Sequence, residues 1–521
     1  MENSRIKNVS KNMINVVFFQ IVKILLVFVG RIIFLKVLDS SFLGVNGLFS
    51  NILTVLTLTD LGINTSLMYS LYKPLANNDE KKVAQYINYF KKIYNTIALV
   101  IAILGVLLIP FLKYLVNLPN DMEHIYLYYL LLLLNSVTSY LFVYKTTLLS
   151  ADQKMYIINR YDILFQFILF ASQTLVLIFT HSFALYLLCT VICTVLSNYF
   201  KVRKTEQLYP YLKTKDYDSL PKNDRKNIFM DLKSLFLYKL GGVIQSNTDN
   251  ILISIFVGTI TVGYYSNYSL IILSVTSFLT IFFTSIKASL GNYITNKDKK
   301  NQLKMFNILE TYNFWLVGFC AICFLILIPD FISICFGENY LLSHSVLIWI
   351  VLNFYTSNIR QTIWAYRETT GLFSKTKYIT LTTSTINLFL SILLGYYYGI
   401  AGIIAATVIA RMLFAWWREP QILFKDYFNS SAKTYYCRYI GRLLLLTVTY
   451  FLIYFACLLP NINIYIDFIL KIIILILIFG LMIIIVYRKS DAMSYFKNNI
   501  LKKVGGKFYE RLFKDKTDSK K

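Results

Sequence analysis

The chain has 521 residues, of which 57% are hydrophobic, and a formal net charge of +25 at pH 7. Soluble domains are about 45–50% apolar, and here the excess is gathered into runs of about 20 residues, which excludes a soluble protein and predicts a polytopic membrane protein. The positive charge does not indicate a nucleic-acid partner, because the Lys and Arg residues lie in alternate loops between the apolar runs, where they face anionic lipid headgroups.

The apolar runs predict an all-α fold with about 14 transmembrane helices. We expect residues 1–205 to form an N-lobe of six spans and residues 234–424 a C-lobe of six, joined by a basic cytoplasmic linker at 206–233. Two further spans lie in residues 425–487, and a basic cytoplasmic tail follows at 488–521. The predicted spans are 14–35, 42–71, 88–112, 124–149, 161–180, 182–201, 234–258, 262–290, 306–329, 340–366, 376–398, 400–424, 439–459 and 464–487.

An internal repeat supports two related lobes. Residues 38–45 align with residues 257–264, which places Gly44 opposite Gly263, and the same offset places Pro110 opposite Pro329. Because six spans is an even number, two such copies are parallel and are related by an axis along the membrane normal, with a central cavity between them.

The basic loops assign the two sides of the membrane. Lys and Arg residues concentrate in loops 72–92, 201–233 and 291–305 and in the tail after residue 487. The positive-inside rule therefore places both termini in the cytoplasm of a plasma-membrane protein whose first helix is retained. The outer loops are about 15 residues or shorter, which leaves no room for the acid and base groups of an external glycan polymerase or ligase. We predict no catalytic site, no cofactor and no metal.

The charged residues inside the spans are the candidates for a binding site. A cation near the middle of a spanning helix costs at least about 2.5 kcal/mol, so it normally faces a polar cavity. Lys145 and Lys287 lie near predicted cytoplasmic ends, where snorkelling to the headgroups explains them. Basic residues outnumber acidic ones, so we expect a largely cationic pocket that binds an anion such as phosphate. The predicted cavity residues are Lys23, Arg31, Asp60, Asp249, Asn250, Arg360 and Arg411.

These residues also have structural interpretations, which the sequence leaves open. Arg31 is a candidate for an ion pair with Asp60 or Asp249, and Arg411 for a partner on a neighbouring helix. The two carboxylates are, in addition, candidates for binding a coupling proton or sodium ion.

The chain resembles the polysaccharide flippases of Gram-positive bacteria, the Wzx-like branch of the multidrug/oligosaccharidyl-lipid/polysaccharide exporter superfamily. The stretches that carry the resemblance are L-G-V-N-G-L-F-S-N-I-L and L-T-D-L-G-I-N-T-S-L-M-Y-S-L-Y-K-P-L, within residues 43–75, and N-T-D-N-I-L-I-S-I-F-V-G-T-I-T-V-G-Y-Y-S-N-Y, residues 247–268. The resemblance implies a two-lobed fold whose V-shaped cavity opens alternately to each side of the membrane.

The same resemblance implies the cargo and the partners. The cargo would be an undecaprenyl-diphosphate-linked oligosaccharide repeat unit, passed to the outer leaflet for capsule or exopolysaccharide assembly, and the partners would be membrane lipids, a polysaccharide polymerase and glycosyltransferases. Relatives that flip the lipid-linked peptidoglycan precursor place cations of the first span in the cavity, the span that here holds Lys23 and Arg31. Two alternatives share the fold: a flippase of that precursor, and a cation-coupled multidrug exporter, which would favour acidic residues for cationic drugs.

Overall fold

The computed structural model describes residues 2–57, 63–117, 122–213, 219–458 and 463–501. Every regular element in these residues is a helix, so the predicted all-α fold class is confirmed. The α-helices are α1 (Glu2–Val37), α2 (Ser40–Leu56), α3 (Ile63–Ala76), α4 (Glu80–Leu108), α5 (Leu112–Leu115), α6 (Ile125–Ala151), α7 (Met155–Thr180), α8 (Phe183–Leu208), α9 (Lys222–Phe256), α10 (Thr259–Asn296), α11 (Lys299–Cys335), α12 (His344–Asn358), α13 (Gln361–Thr369), α14 (Phe373–Ala410), α15 (Trp416–Asp426), α16 (Lys433–Ala456), α17 (Ile464–Tyr487) and α18 (Asp491–Tyr495).

Within the described residues, 10 helical stretches are long and apolar enough to cross a membrane. The predicted span 42–71 is outside this set because it includes residues 58–62, which lie outside the described ranges. The predicted span 340–366 is outside it because it is divided into two shorter helices, α12 and α13. The span predicted at 234–258 lies in α9, which carries the polar run at 245–250. The last two spans of the predicted C-lobe count as one continuous stretch, Tyr378–Asp426.

Backbone chemistry explains where the helices begin and end. The Asp39 carboxylate caps α2 by accepting a hydrogen bond of 2.6 Å from the Ser40 amide. His181 adopts a left-handed conformation (φ 51°) and separates α7 from α8, at the break expected near this residue. Gly399 (φ 57°, ψ −138°) interrupts α14 at the boundary expected between spans 376–398 and 400–424, because only glycine adopts this conformation without strain.

The chain folds as two compact units. The first comprises Met1–Leu270 and Lys377–Ala410, and the second comprises Ile271–Thr376 and Arg411–Lys521. The first unit therefore contains residues of both predicted lobes, and the lobe boundaries drawn from the sequence stay a prediction.

Each unit has its own apolar interior. Tyr94, Tyr129 and Phe49 are fully buried in the first unit, and Phe306 and Tyr366 are fully buried in the second. Apolar residues are also exposed along whole helix faces, and α17 alone exposes Ile473, Ile476, Leu477, Leu481, Ile484 and Ile485. A continuous apolar face of this length is typical of a helix in contact with lipid.

In the first unit, the starts of α2 and α10 approach each other closely through the two repeat-related glycines. A Cβ atom on Gly44 would lie 2.0 Å from the backbone oxygen of Thr259, and one on Gly263 would lie 2.7 Å from the backbone oxygen of Ser40. Thr259 aligns with Ser40 in the repeat, so each glycine contacts the first residue of the other glycine's helix. The Thr259 amide also donates to the Asn117 carbonyl at 2.8 Å, and its hydroxyl accepts from the Asn117 amide at 2.9 Å.

Candidate functional site

Lys23 lines a polar cleft between α1 and α7 of the first unit. The cleft has a volume of about 340 Å³, within the range of ligand pockets, and Lys23 has no ion-pair partner among the described residues. Ammonium and amide groups donate hydrogen bonds to phosphate oxygens and to sugar hydroxyls. The cleft is lined by Phe19, Gln20, Val22, Lys23, Leu26, Asn159, Asp162, Ile163 and Gln166.

Asp162, the one carboxylate lining this cleft, is engaged elsewhere. It forms an ion pair with Lys201 of α8, whose side chain is 11% exposed. The charge of Asp162 is therefore compensated, and Lys23 supplies the net positive charge of the cleft.

Arg31 is placed against a different helix. One turn of α1 rises about 5.4 Å, so Arg31 lies about 12 Å along the axis from Lys23. Its Nη1 lies 3.4 Å from Oδ1 of Asn267 on α10, a long hydrogen bond. Asn267 is fully buried, and its amide nitrogen has no hydrogen-bond partner among the described residues. The pair thus presents donors that an anionic oxygen would satisfy.

Asp249 of α9 is the centre of a third polar group in the first unit. Its carboxylate oxygens accept from the Thr407 hydroxyl at 3.3 and 3.5 Å, and this hydroxyl accepts from the Asn387 amide at 2.9 Å. The same amide lies 3.1 Å from the Ser391 hydroxyl. The side-chain oxygens of Asn387 and Asn250 are buried without a hydrogen-bond partner in the described part of the chain. A carboxylate beside hydroxyl and amide oxygens is a ligand set that a small hard cation or a proton can bind.

The second unit holds Arg360 in an ion-pair cluster. Arg360 Nη2 lies 2.7 Å from Glu419 Oε2, and the other oxygen of this carboxylate lies 3.5 Å from Nη1 of Arg367. Trp364 Nε1 also donates to Glu419 at 3.1 Å. All three charged side chains are less than 9% exposed, so Glu419 compensates cationic charge that is buried in the protein.

Arg411 contacts a neighbouring helix in the same unit. It begins a π-helical turn, Arg411–Ala415, that joins α14 to α15. Its Nη1 donates to the Thr356 hydroxyl at 2.7 Å and to the backbone and side-chain oxygens of Asn353 at 3.1 and 3.0 Å. These acceptors on α12 hold the guanidinium in place.

The remaining charged residues are placed as follows. Asp60 lies outside the described residues. Lys145 forms an ion pair with Glu206, and Lys287 forms one of 2.5 Å with Glu368. In the described ranges, no group of three or more His, Cys, Asp or Glu side chains is arranged to hold a metal ion.

Sequence reasoning missed several polar residues that the structure brings into these groups. Each of these groups includes a polar residue within a predicted apolar span, and that position in the sequence could have identified it as a candidate. These residues are Asn267, Asn387 and Thr407. Glu310 and Glu419 also lie within predicted spans, so the excess of basic over acidic residues is smaller than the sequence analysis assumed.

Comparison with known proteins completes the description of the fold. No family model matches the chain, and no curated protein matches its sequence. Among solved structures, the lipid II flippase MurJ in an inward closed conformation matches with a TM-score of 0.65 at 17% identity, covering 90% of this chain and 99% of that chain. A multidrug resistance MATE family transporter of the MOP superfamily matches with a TM-score of 0.55 at 13% identity, covering 75% and 91%. A MATE transporter of Vibrio cholerae matches with a TM-score of 0.54 at 13% identity, covering 81% and 98%.

The chain has a MurJ/MATE-like transporter fold. It is a multi-pass membrane protein of the two-lobed, all-helical kind to which these solved transporters belong.

Proposed function

We propose that this protein is a flippase that moves an undecaprenyl-diphosphate-linked oligosaccharide repeat unit from the cytoplasmic to the outer leaflet. The unit would then be assembled into capsule or exopolysaccharide. The observation that carries the proposal is the uncompensated Lys23 in a polar cleft, within a fold shared over nine tenths of the chain with a lipid II flippase.

The physical requirement for such a protein supports this assignment. A diphosphate and several sugars do not cross hydrocarbon unaided, because each polar group without a partner costs several kcal/mol. Lys23 and Arg31, about 12 Å apart along α1, would replace water at two different parts of the headgroup, and the cleft amides would donate to the sugar hydroxyls. Alternation between two states then exposes the headgroup to the opposite side while the polyprenyl tail stays in lipid.

Asp249 and the neighbouring oxygens supply a route to energy coupling. We assign Asp249, Asn250, Asn387 and Thr407 to a site for a coupling sodium ion or proton. Binding of a cation at a buried carboxylate changes the balance between the two states by its difference in affinity for them. Arg360 and Arg411 are not assigned to cargo, because their guanidinium groups are held by Glu419 and by oxygens of α12.

Two other transport functions occur with the same fold, and the charged residues of the site distinguish between them. A flippase for the lipid-linked peptidoglycan precursor would use the same cations, since its cargo also carries a diphosphate. A multidrug exporter would need acidic groups for cationic drugs, whereas the cleft has Lys23 as its uncompensated charge. The lipid II flippase match also covers 90% of this chain, against 75–81% for the two MATE transporters.

Mass spectrometry of polyprenyl-linked intermediates, after depletion of the protein in its host, tests the proposal. We expect a complete non-peptide oligosaccharide on undecaprenyl diphosphate to accumulate, which also identifies the cargo. Accumulation of the disaccharide-peptide precursor would instead assign the protein to cell-wall synthesis. Unchanged levels of both intermediates would refute lipid-linked cargo and favour the exporter.

A further inference from the structure

A second cavity, of about 500 Å³, lies in the second unit where α11, α16 and α17 meet near α18. It combines two arginines and several hydroxyl and amide groups with apolar side chains from two helices that carry long exposed apolar faces. None of these residues belongs to the cargo or ion sites proposed above. The cavity is lined by Asn307, Ile308, Thr311, Arg438, Gly441, Arg442, Leu445, Val486, Tyr487, Ser490, Asp491 and Ala492.

The two arginines lie one turn apart on the same face of α16. Arg442 forms an ion pair with Glu310 and donates to the Thr311 hydroxyl at 2.9 Å, so it is held in place with its side chain only 7% exposed. Arg438 donates through Nη2 to Asn307 at 2.8 Å. Its Nε is buried and has no hydrogen-bond partner among the described residues, which leaves a charged donor unsatisfied inside the cavity wall.

The charges around the cavity favour an anion. Glu310 compensates Arg442 and lies 3.9 Å from Arg438, too far for a hydrogen bond. At the rim, Asp491 is paired with Lys304 at 3.2 Å. Arg438 and Arg442 therefore share the Glu310 carboxylate, so these two arginines and this carboxylate together carry one net positive charge. The next residues along the chain after α17, Arg488 and Lys489, are exposed and add positive charge beside the opening.

The apolar side of the cavity continues onto lipid-facing surface. Leu445 and Val486 line it, and the same two helices expose Leu444 and Ile485 to about two thirds of their surface. A soluble phosphate would gain nothing from these residues. A phosphate that carries acyl chains would place them along the exposed faces of α16 and α17.

We propose that this cavity binds the phosphodiester headgroup of an anionic glycerophospholipid from the surrounding leaflet. Arg438 binds the phosphate through Nε, the hydroxyls of Thr311 and Ser490 lie beside the glycerol, and the acyl chains follow α16 and α17. Basic pockets between transmembrane helices at a membrane surface are typical of such headgroup sites. The lipid thereby joins α11, α16 and α17 and stabilises the second unit independently of any cargo.

Native mass spectrometry of the purified full-length protein, titrated with phosphatidylglycerol and with phosphatidylcholine, tests this site. We expect a phosphatidylglycerol adduct that is weakened roughly tenfold by Arg438→Gln, since one charge-assisted hydrogen bond is lost. Arg438→Lys is expected to bind with intermediate affinity. The matched control is Arg418→Gln, which removes an exposed arginine of α15 that contacts Gln421 and does not line the cavity.

Three results would overturn the proposal. They are equal loss of phosphatidylglycerol in Arg418→Gln, equal affinity of the wild type for phosphatidylcholine, and full displacement of the lipid by inorganic phosphate at matched concentration. The last result would identify a free phosphate as the ligand. Thermal unfolding of Arg438→Gln without lipid shows whether the variant is folded, and a shift in unfolding temperature on adding phosphatidylglycerol gives a second reading of binding.

Discussion

At the scale of single residues, the charged side chains in the predicted spans differ in whether they form an ion pair with a carboxylate. Lys23 faces a polar cleft and Arg31 lies beside Asn267, and neither has a carboxylate partner among the described residues. Arg360, by contrast, is paired with Glu419 inside the protein. A cation without a carboxylate in a membrane-spanning helix is expensive to keep, so function is its best explanation, whereas a paired one also contributes to stability.

Removal of the α1 cations should impair transport. We expect Arg31→Ala and Lys23→Ala each to reduce polymer output at least about tenfold, because each removes charge-assisted hydrogen bonds to the headgroup worth about 1.5–3 kcal/mol. Polymer output and protein level are measured together in host cells. Lys36→Ala, which removes an exposed lysine from the last turn of the same helix, is the control and should transport normally. Normal output from a stably expressed Arg31→Ala protein would contradict the assignment.

Neutralising Asp249 should remove the dependence on a coupling ion. We expect sodium ions or a change in pH to shift the thermal unfolding temperature of the wild type, and Asp249→Asn to abolish this shift, because the buried carboxylate is the charged ligand. The measurement is a thermal scan of purified protein in sodium and in potassium salts over several pH values. Asp330→Asn, in which the replaced carboxylate pairs with Lys471, should retain the wild-type response. An unchanged response in Asp249→Asn would exclude the proposed ion site.

Glu419→Gln should destabilise the protein. This change removes the carboxylate that pairs with the buried Arg360 and Arg367, and breaking a buried ion pair costs about 3–5 kcal/mol. We expect a clear decrease in thermal unfolding temperature, partly reversed in the Glu419→Gln/Arg360→Gln double variant. The exposed Glu338 provides the control substitution, Glu338→Gln. Equal stability of Glu419→Gln and the control would show that the cluster does not stabilise the second unit.

At the scale of helices, backbone approach rather than side-chain charge sets the arrangement. The starts of α2 and α10 are as close as they are because Gly44 and Gly263 have no Cβ atom. In the same way, Gly399 lets the chain reverse direction within α14. Gly395 and Gly402 leave room for the segments before and after Gly399 to pack together. Small residues at such crossings are the usual means by which membrane helices approach each other.

Gly44→Ala should therefore disturb the packing of α2 against α10. The added Cβ would lie 2.0 Å from a backbone oxygen that cannot rotate away, and overpacking of this kind costs about 1–3 kcal/mol or more. We expect a lower thermal unfolding temperature of the purified protein. Gly242→Ala, where a Cβ would meet nothing within 4 Å, should be as stable as the wild type. A Gly44→Ala protein as stable as this control would mean that the helix ends separate without cost.

For the molecule as a whole, the orientation in the membrane follows from the distribution of basic residues, and it stays a prediction. The rule that basic loops are cytoplasmic places the start of α17 outside and its end inside the cell.

Labelling of single cysteines tests this orientation. In a protein whose seven native cysteines are replaced, Asn463→Cys precedes α17 and Lys489→Cys follows it, and both positions are exposed. We expect a membrane-impermeant maleimide to label Asn463→Cys in intact cells and Lys489→Cys only after permeabilisation. The reverse pattern would place the termini outside and overturn the predicted topology.

The sequence by itself determined the class of protein and most of its elements. Apolar runs long enough to cross a bilayer form helices, because lipid offers no hydrogen-bond partner to backbone N–H and C=O groups that a helix would satisfy internally. The breaks at His181 and Gly399 also lie at span boundaries predicted from the apolar runs, and the structure has a left-handed residue at each. The positions of Lys23, Arg31 and Asp249 in spanning helices were equally visible from the sequence.

Only the tertiary structure decided which of these charges are compensated. Arg360 pairs with Glu419, 59 residues away in the sequence, and Arg442 pairs with Glu310, 132 residues away. Hydrophobic periodicity carries no information about pairing over such sequence separations. The division of the predicted span 340–366 into α12 and α13 was likewise visible only in the structure. Ion pairing depends on positions in space, so the sequence identified the charged residues, and only the fold showed which of them form ion pairs.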